Sequence, residues 1–174
     1  MKNLRTLALG MIVTLLPLAA LAQANDPTAI APEARIRWQF SPYTLHYTQD
    51  DKHKDVLMVG LEREHANAKL DGFTLFTNSF GQPTIYVYPW GRVYRPLSGH
   101  EQLSFKWTAG LLYGYKDPYE DKVPLNYGGF SPAVIPAIAY EFKSGWSAQV
   151  NFLGTAALMF QLSTPIIQAN KRGK

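Results

Sequence analysis

The segment Phe73-Thr-Leu-Phe-Thr-Asn-Ser-Phe-Gly-Gln-Pro83 carries the pattern that decides the fold. Its first half is apolar and β-prone, and small polar residues followed by a Gly-Gln-Pro turn come next. This order is typical of a strand that ends at the rim of a sheet. The segment therefore predicts a strand over residues 70–80 that delivers the polar pair Asn78-Ser79 to such a rim.

Strand signals of the same kind lie on both sides of this segment. Alternating apolar and polar stretches are separated by short turns rich in Gly, Pro and charged residues, which is typical of antiparallel hairpins. The predicted strands cover residues 36–47, 56–64, 70–80, 84–94, 102–114, 133–142, 146–152 and 156–163. They predict an all-β, eight-stranded antiparallel up-and-down barrel over residues 36–163. A lead-in segment, 23–35, precedes it, and a basic tail, 164–174, follows it.

The N-terminus has the three parts of a secretory signal peptide. A short basic region is followed by a strongly apolar run, and Ala20-Leu21-Ala22 then supplies small residues where a signal peptidase cleaves. We expect residues 1–22 to be removed, with cleavage after Ala24 as the alternative, and the mature protein to be exported. An uncleaved membrane anchor is the competing interpretation.

Composition narrows the function classes. Removal of two cations with the signal peptide lowers the formal charge from +4 to +2, which suits anionic lipid head groups and does not predict a nucleic-acid partner. The chain has no cysteine, so a disulfide framework and thiolate catalysis are excluded. No metal-ligand spacing, phosphate-binding loop or serine elbow is present, and we expect neither metal nor cofactor.

Two kinds of eight-stranded barrel fit this pattern, an outer-membrane barrel and a soluble lipocalin-like barrel. The membrane is favoured by alternating loop lengths, by an uncharged face on the fifth, seventh and eighth strands, and by aromatic residues near strand ends, as in interfacial girdles. These aromatic residues are Trp38, Tyr43, Tyr47, Tyr86, Tyr88, Trp90, Tyr94, Tyr113, Tyr115, Tyr140 and Trp146. We therefore expect a monomeric barrel in the outer membrane.

Polar residues at alternating positions predict a polar layer inside the barrel if their apolar neighbours face lipid. The members of this layer are Lys106, Gln149, Asn151 and Gln161. Three histidines lie among charged or turn residues, and we interpret them as solvated loop residues. They are His53, His65 and His100.

Strand parity places two polar segments on one rim. With the N-terminus in the periplasm, the first and third strands both end at the extracellular side. Their ends carry His46 and Asn78-Ser79. His46 could act as a general base towards a sugar hydroxyl, and Ser79 could bond a developing oxyanion. This rim is the candidate active site; a hydrated sheet edge without chemistry is the alternative.

From about Trp38 to Leu162 the chain resembles the outer-membrane lipid A palmitoyltransferases, the PagP family. The segments that carry the resemblance are Phe76-Thr-Asn-Ser-Phe80, Tyr94-Arg-Pro-Leu97, Trp107-Thr-Ala-Gly110 and Ser131-Pro-Ala-Val-Ile-Pro-Ala137. The resemblance implies an eight-stranded barrel whose apolar interior holds a palmitoyl chain. It also implies transfer of that chain from an outer-membrane phospholipid to lipid A, the lipid part of lipopolysaccharide, in the outer leaflet.

The resemblance further implies roles for individual residues. The family has a histidine at the top of strand one and an Asp-Ser pair at the top of strand three, which correspond here to His46, Asn78 and Ser79. Prolines in the family loosen the strand ladder so that lipids can enter sideways, since proline donates no ladder hydrogen bond. The prolines placed for that role are Pro83, Pro132 and Pro136.

Asn78 stands where the family has an aspartate, and an amide cannot stabilise an imidazolium by charge. Two main functions therefore stay open. One is acyl transfer to lipid A, and the other is a non-catalytic outer-membrane barrel that binds lipid or supports the envelope. A small-solute transporter is a weaker third, because side chains about fill the interior of an eight-stranded barrel. A soluble carrier is the fourth.

Overall fold

The computed structural model describes residues 34–48 and 53–166. Within them, eight strands close into one barrel in which sequential strands pair and the last strand pairs with the first. The strands are β1 (Arg35–His46), β2 (Met58–Glu64), β3 (Leu70–Thr77), β4 (Pro83–Tyr94), β5 (Leu103–Tyr113), β6 (Phe130–Glu141), β7 (Ser147–Leu153) and β8 (Ala157–Pro165). Every pairing is antiparallel, which confirms the predicted eight-stranded barrel.

Several predicted segments lie outside the described residues. These are the signal peptide, most of the lead-in segment and most of the basic tail. A 3-10 turn at Glu120–Lys122 is the helical element of the described part of the chain. No helix in residues 34–48 or 53–166 is long and apolar enough to cross a membrane.

Two strand boundaries differ clearly from the predicted ones. The third strand ends at Thr77 and not at Phe80, because the side chain of Asn78 holds the chain in a turn, as described below. The sixth strand begins at Phe130, before Pro132. Gly128 and Gly129, both with positive φ (58° and 89°), form the turn that sets Phe130 opposite Tyr113 on β5. The predicted boundary of the sixth strand was wrong because Pro132, which was interpreted as the residue before the strand, lies inside it.

Alternate strand residues face outward, and many of them are large, apolar and exposed. Examples are Trp38, Phe40, Leu45, Val59, Phe73, Leu75, Trp90, Leu111, Val134, Ile138, Phe160 and Leu162. An apolar exterior to which every strand except β7 contributes exposed residues is far larger than the patches that monomeric soluble proteins expose.

Two predicted members of the aromatic girdle lie inside the barrel instead. Tyr86 and Tyr88 are buried, and their hydroxyls donate to the Thr108 Oγ1 at 3.1 Å and to the Gln39 Oε1 at 3.3 Å. A bulge in β4 between Val87 and Trp90 changes the alternation, so that Trp90 faces outward. The predicted girdle therefore combined residues from both faces of this strand.

The barrel interior contains the predicted polar layer. Lys106, Gln149, Asn151 and Gln161 are all buried. The ammonium of Lys106 pairs with the Glu62 carboxylate at 2.5 Å across the interior. Asn151 accepts from Gln149 at 2.6 Å and donates to Gln161 at 3.0 Å, so the amides form a chain along β7 and β8. Hydrogen bonds and opposite charge therefore compensate most of the burial in this layer, while the Gln149 Oε1 has no hydrogen-bond partner among the described residues.

The barrel has two rims. The upper rim is the end at which β1, β3, β5 and β7 finish, and the lower rim is the end at which they begin. A charged network lies at the lower rim, where Arg95 donates to both oxygens of Glu64 at 2.5 and 3.0 Å. Arg37 pairs there with Glu141 at 3.1 Å and donates to the Gly145 carbonyl at 2.8 Å. The lower end of the interior is therefore occupied by paired charges.

The strand ladder is incomplete in two places near the upper rim. The β6–β7 pairing runs only from Ala137 to Glu141 on β6, so the residues of β6 before Ala137 have no described partner on β7. The β1–β2 pairing likewise stops at Ser41 on β1. Pro136 directly precedes the paired part of β6, and Pro42 directly follows the paired part of β1. A residue without an N–H is compatible with such ends.

Replacement of Lys106 by Met should destabilise the barrel strongly, because Glu62, whose side chain is only 2% exposed, would remain buried without its partner. We expect a loss of about 3–5 kcal/mol, and recovery of most of it in the double variant Glu62→Leu, Lys106→Met. Urea unfolding of the purified barrel in detergent measures both.

The matched control is Arg63→Met, which breaks the exposed Arg63–Asp71 pair, with side chains 52% and 28% exposed. It should cost less than about 1 kcal/mol. A Lys106→Met barrel as stable as this control would contradict a stabilising role for the interior pair.

Candidate functional site

The upper rim brings together two of the predicted site residues. The Nε2 of His46, the last residue of β1, lies 2.6 Å from the Oγ of Ser79, in the turn after β3. His46 pairs with Ala157 at the start of β8, and the Ser79 carbonyl accepts from the Lys54 N–H at 2.8 Å. The turn that carries Ser79 is thus joined to the segment that follows β1.

A bulge explains why His46 faces the interior. The register of β1 against β8 shifts between Phe40 and Tyr43, at Pro42. Before the shift, Gln39 and Ser41 face inward; after it, Tyr43 is exposed and His46 lines the interior cavity. An uninterrupted two-residue period from Ser41 would have pointed His46 outward. The bulge therefore sets the orientation of the candidate base.

Asn78 is placed differently from its neighbour. It is completely buried, and its Oδ1 accepts from the backbone N–H groups of Phe80 and Gln82, both at 3.0 Å. Its Nδ2 donates to the Gln82 Oε1 at 3.2 Å. These bonds shape the turn that presents Ser79. The described hydrogen bonds of the Asn78 side chain go to this turn, and none goes to His46.

Sequence reasoning missed His53. It was expected to be a solvated loop residue, but its ring centroid lies 4.3 Å from that of His46, with an interplanar angle of 34°. Its other face contacts Phe80, at 5.6 Å between centroids, and Phe80 stacks on Tyr119 at 4.1 Å. No spacing signal marks this contact, because His53 lies in the link between β1 and β2 and not on a strand.

The other two histidines lie far from this rim. His65, also expected to be solvated, contacts the Asp71 carboxylate near the lower rim. His100 is exposed in the loop between β4 and β5, as expected.

Tyr115, in the link after β5, lines the same cavity as His46 and Ser79. Burial raises the pKa of the Tyr115 hydroxyl, and a hydrogen bond with Ser79 opposes part of that rise.

A cavity of about 510 Å³ opens beneath this rim. Its size lies within the range of small-molecule and cofactor sites, about 300–1,000 Å³. The apolar side chains that line it are Val56, Met58, Phe76, Leu112, Ala133, Ile135, Leu153 and Met159. The polar side chains towards the lower rim are Gln39, Glu62, Lys106, Gln149, Asn151 and Gln161. The cavity therefore has an apolar wall between a polar mouth and a polar floor.

The three predicted access prolines fall in two places. Pro83 is the first residue of β4 and pairs with Thr77, directly after the Asn78 turn. Pro132 and Pro136 both lie on β6, where the pairing with β5 is continuous through them. Both stand on the part of β6 that has no described β7 partner. The two β6 prolines are thus associated with a gap in the ladder, and Pro83 is associated with a turn.

The chemistry open to this site is that of an imidazole beside a hydroxyl. A neutral histidine at this distance can take a proton from an oxygen acid, and a serine hydroxyl can donate to an oxyanion. Within residues 34–48 and 53–166, no carboxylate hydrogen-bonds with His46. Nor do three His, Asp or Glu side chains in the described part of the chain converge as metal ligands would.

No protein-family model matches this chain, and no curated protein matches its sequence significantly.

The role of Asn78 in the turn can be tested by Asn78→Ala. This variant leaves the buried N–H groups of Phe80 and Gln82 without an acceptor and should cost about 1–3 kcal/mol in unfolding free energy. Asn78→Asp, which keeps an acceptor, should cost less. Chemical unfolding of the purified barrel compares the two.

Asn67→Ala is the matched control, since Asn67 is an exposed turn residue whose Oδ1 accepts from the Lys69 N–H at 3.2 Å. We expect it to change stability by less than about 0.5 kcal/mol. An Asn78→Ala barrel with the stability of Asn67→Ala would refute the structural role of Asn78.

Proposed function

We propose that this protein is an outer-membrane acyltransferase that moves a fatty acyl chain from a phospholipid to lipid A. The observation that carries the proposal is the His46–Ser79 pair, 2.6 Å apart at the mouth of a cavity with an apolar wall. A base and a hydroxyl above a space that suits hydrocarbon are what an ester reaction on a lipid needs. The resemblance to lipid A palmitoyltransferases supplies the identity of donor and acceptor.

The exterior of the barrel supports placement in a membrane. Large apolar side chains are exposed on every strand except β7, and a soluble protein of this kind would carry polar residues there. Exposed aromatic residues occur near both rims, as in the interfacial girdles of outer-membrane barrels. Those near the upper rim include Tyr43, Tyr47 and Phe130, and those near the lower rim include Tyr94, Tyr140 and Trp146. The predicted signal peptide agrees with this placement.

In the proposed reaction, the acyl chain of the donor lies in the cavity and its ester carbonyl stands at the rim. His46 Nε2 takes the proton of an acceptor sugar hydroxyl while that oxygen attacks the carbonyl carbon. Ser79 turns its hydroxyl from His46 to the developing oxyanion. The tetrahedral intermediate collapses, the donor ester C–O bond breaks, and the leaving lysophospholipid oxygen takes the proton from His46. One ester bond is made and one is lost.

A gap beside the cavity gives lipids a route that does not pass through water. Along the upper part of β6, from Phe130 to Pro136, the side towards β7 is unpaired. Ala133, Val134 and Ile135 on this segment line the cavity, and Val134 is also exposed on the exterior. An acyl chain that passes between the two strands here would move from the outer leaflet to the cavity.

A non-catalytic lipid-binding barrel is the second candidate. It is favoured by the commitment of Asn78 to its turn, because the family position that would supply a carboxylate to the histidine then supplies only structure. A transporter has less support. The Glu62–Lys106 pair and the amide chain of the polar layer occupy the interior below the cavity, and eight-stranded barrels leave little space besides.

The first test is mass spectrometry of lipid A from cells that make the wild-type barrel or His46→Ala. The wild type should add one acyl chain, and His46→Ala should reduce the rate of addition by about 10²–10⁴-fold, the usual contribution of a general base. Ser79→Ala should reduce it by about 10²–10³-fold.

His100→Ala is the matched control, because His100 is exposed in a loop away from the cavity. It should acylate lipid A like the wild type. A folded wild-type barrel that adds no acyl chain would overturn the acyltransferase and leave lipid binding as the better function.

The cavity itself is tested with a pair of substitutions on β6. Ala133→Trp places a large ring in the cavity, and Ile138→Trp places the same ring on the exterior, where Ile138 is 41% exposed and does not line the cavity. We expect Ala133→Trp to reduce lipid bound by the purified barrel at least tenfold and to abolish acylation. Ile138→Trp should change neither. Equal lipid binding by the two variants would argue against this cavity as the acyl site.

A further inference from the structure

We propose that His53 is a positioning residue for His46: direct contact between the two rings holds His46 against Ser79, and a proton on one imidazole disfavours a proton on the other. The inference rests on the acyltransferase function proposed above and adds the residue that serves in place of a carboxylate. It follows from the 4.3 Å distance between the two imidazole centroids, together with the 2.6 Å contact between His46 and Ser79.

The position of His53 is itself fixed from two sides. Its ring meets the Phe80 ring edge to face, with an interplanar angle of 68°. Phe80 is stacked in turn on Tyr119, at 12°. The next residue in the chain, Lys54, donates its N–H to the Ser79 carbonyl at 2.8 Å. The segment after β1 and the turn after β3 therefore hold the two imidazoles and the serine as one unit.

Stacking restricts the orientation of the His46 ring. Aromatic rings with centroids 4.5–7 Å apart attract one another, and the His46–His53 contact is slightly closer than that range. A ring that is restrained in this way keeps its Nε2 directed at Ser79 without a hydrogen bond from a carboxylate. Because a displacement of about 1 Å can cost a hundredfold in rate, such a restraint matters for catalysis.

Charge gives the second effect. Two imidazolium rings at this distance would repel one another, so a proton on His53 disfavours a proton on His46. An aspartate at the same place would do the opposite, since it favours the imidazolium. An uncharged imidazole can accept a proton, and the contact with His53 favours that form of His46 without a carboxylate.

Other charged and titratable groups face the same rim. On the segment after β1, the Lys54 side chain lies next to Gly81. A Cβ atom placed on Gly81 would be 3.0 Å from the Lys54 Nζ. The link between β5 and β6 contributes Asp121, Lys122 and Tyr115 to the lining of the cavity. The β3–β4 turn contributes Ser79, which is neutral. Among these groups His53 is distinguished by direct ring contact with His46.

The test is an NMR titration of ¹³C,¹⁵N-histidine in the full-length folded barrel in lipid nanodiscs, with acyl transfer measured on the same samples. His53→Phe keeps a ring on His46 and removes the charge. The midpoint of the His46 titration should then move to higher pH by on the order of half a unit, and the acid limb of the rate profile should move with it. At pH 8, transfer should stay within about threefold of the wild type.

His53→Ala removes the ring as well as the charge. The same shift in midpoint should appear, together with a fall in transfer of about tenfold or more at pH 8, because the His46 ring is no longer restrained. His100→Phe is the control and should leave the His46 titration and the transfer rate unchanged. A His46 midpoint that moves in both variants is a result that a merely structural loop residue would not give.

The outcomes separate this inference from the proposed function. A His46 midpoint that is the same in the wild type, His53→Phe and His53→Ala would overturn the inference, whatever the rate of transfer. A midpoint that moves as expected, in a barrel that acylates no lipid A, would support the coupling of the two rings and count against the acyltransferase.

Discussion

Closure of the sheet is the constraint on which the rest of the structure depends. Because the eight strands leave no free edge, each strand divides its side chains between an interior set and an exterior set, and a shift by one residue would exchange the two. A bulge is such a shift within one strand. After the bulges in β1 and β4, the positions that face the interior and the exterior are exchanged. The first turns His46 towards the cavity, and the second keeps Tyr86 and Tyr88 inside while Trp90 faces out.

The interior is consequently divided along the barrel axis. Apolar residues such as Met58 and Met159 surround the upper part, while the Glu62–Lys106 pair and the amides of β7 and β8 fill the middle, and arginine–carboxylate pairs lie at the lower rim. Hydrocarbon can be accommodated only above the polar layer, since burial against unsolvated charge is unfavourable. The location of the His46–Ser79 pair at the upper mouth therefore matches the half of the barrel that suits a lipid tail.

Much of the fold could be predicted from the sequence because it depends on a two-residue period and on turn residues. The number of strands, their antiparallel order and the inward position of Lys106 and Gln149 follow from these local signals. The structure differs from the prediction where the end of a strand or the direction of a side chain is set by something other than this two-residue period. The hydrogen bonds of the Asn78 side chain end β3 early, and the bulge beside Trp90 cannot be seen in a pattern of apolar residues alone.

The positions of the candidate site residues were predictable to a similar extent. Strand parity was enough to place His46 and Ser79 on one rim, and the structure brings them into contact. Parity says nothing about loops, and so it could not place the His53 ring on that of His46 or assign the Asn78 side chain to a turn. The Asn78 bonds are local, to Phe80 and Gln82, but a strand period carries no information about side-chain hydrogen bonds. The His53 ring is placed by its contacts with His46 and Phe80, which the closed barrel brings together.

The Glu62–Lys106 pair has a consequence for assembly. It joins β2 to β5 across the interior, and these strands are separated in the sheet by β3 and β4. A partly assembled sheet of β1 to β4 contains the Glu62 carboxylate but lacks its partner Lys106, which lies on β5. In a bilayer such a group is costly, so partly formed sheets are poorly stabilised until β5 joins them. In the outer membrane proposed for this barrel, the strands should consequently insert in one concerted step, and a truncated sheet should not persist there.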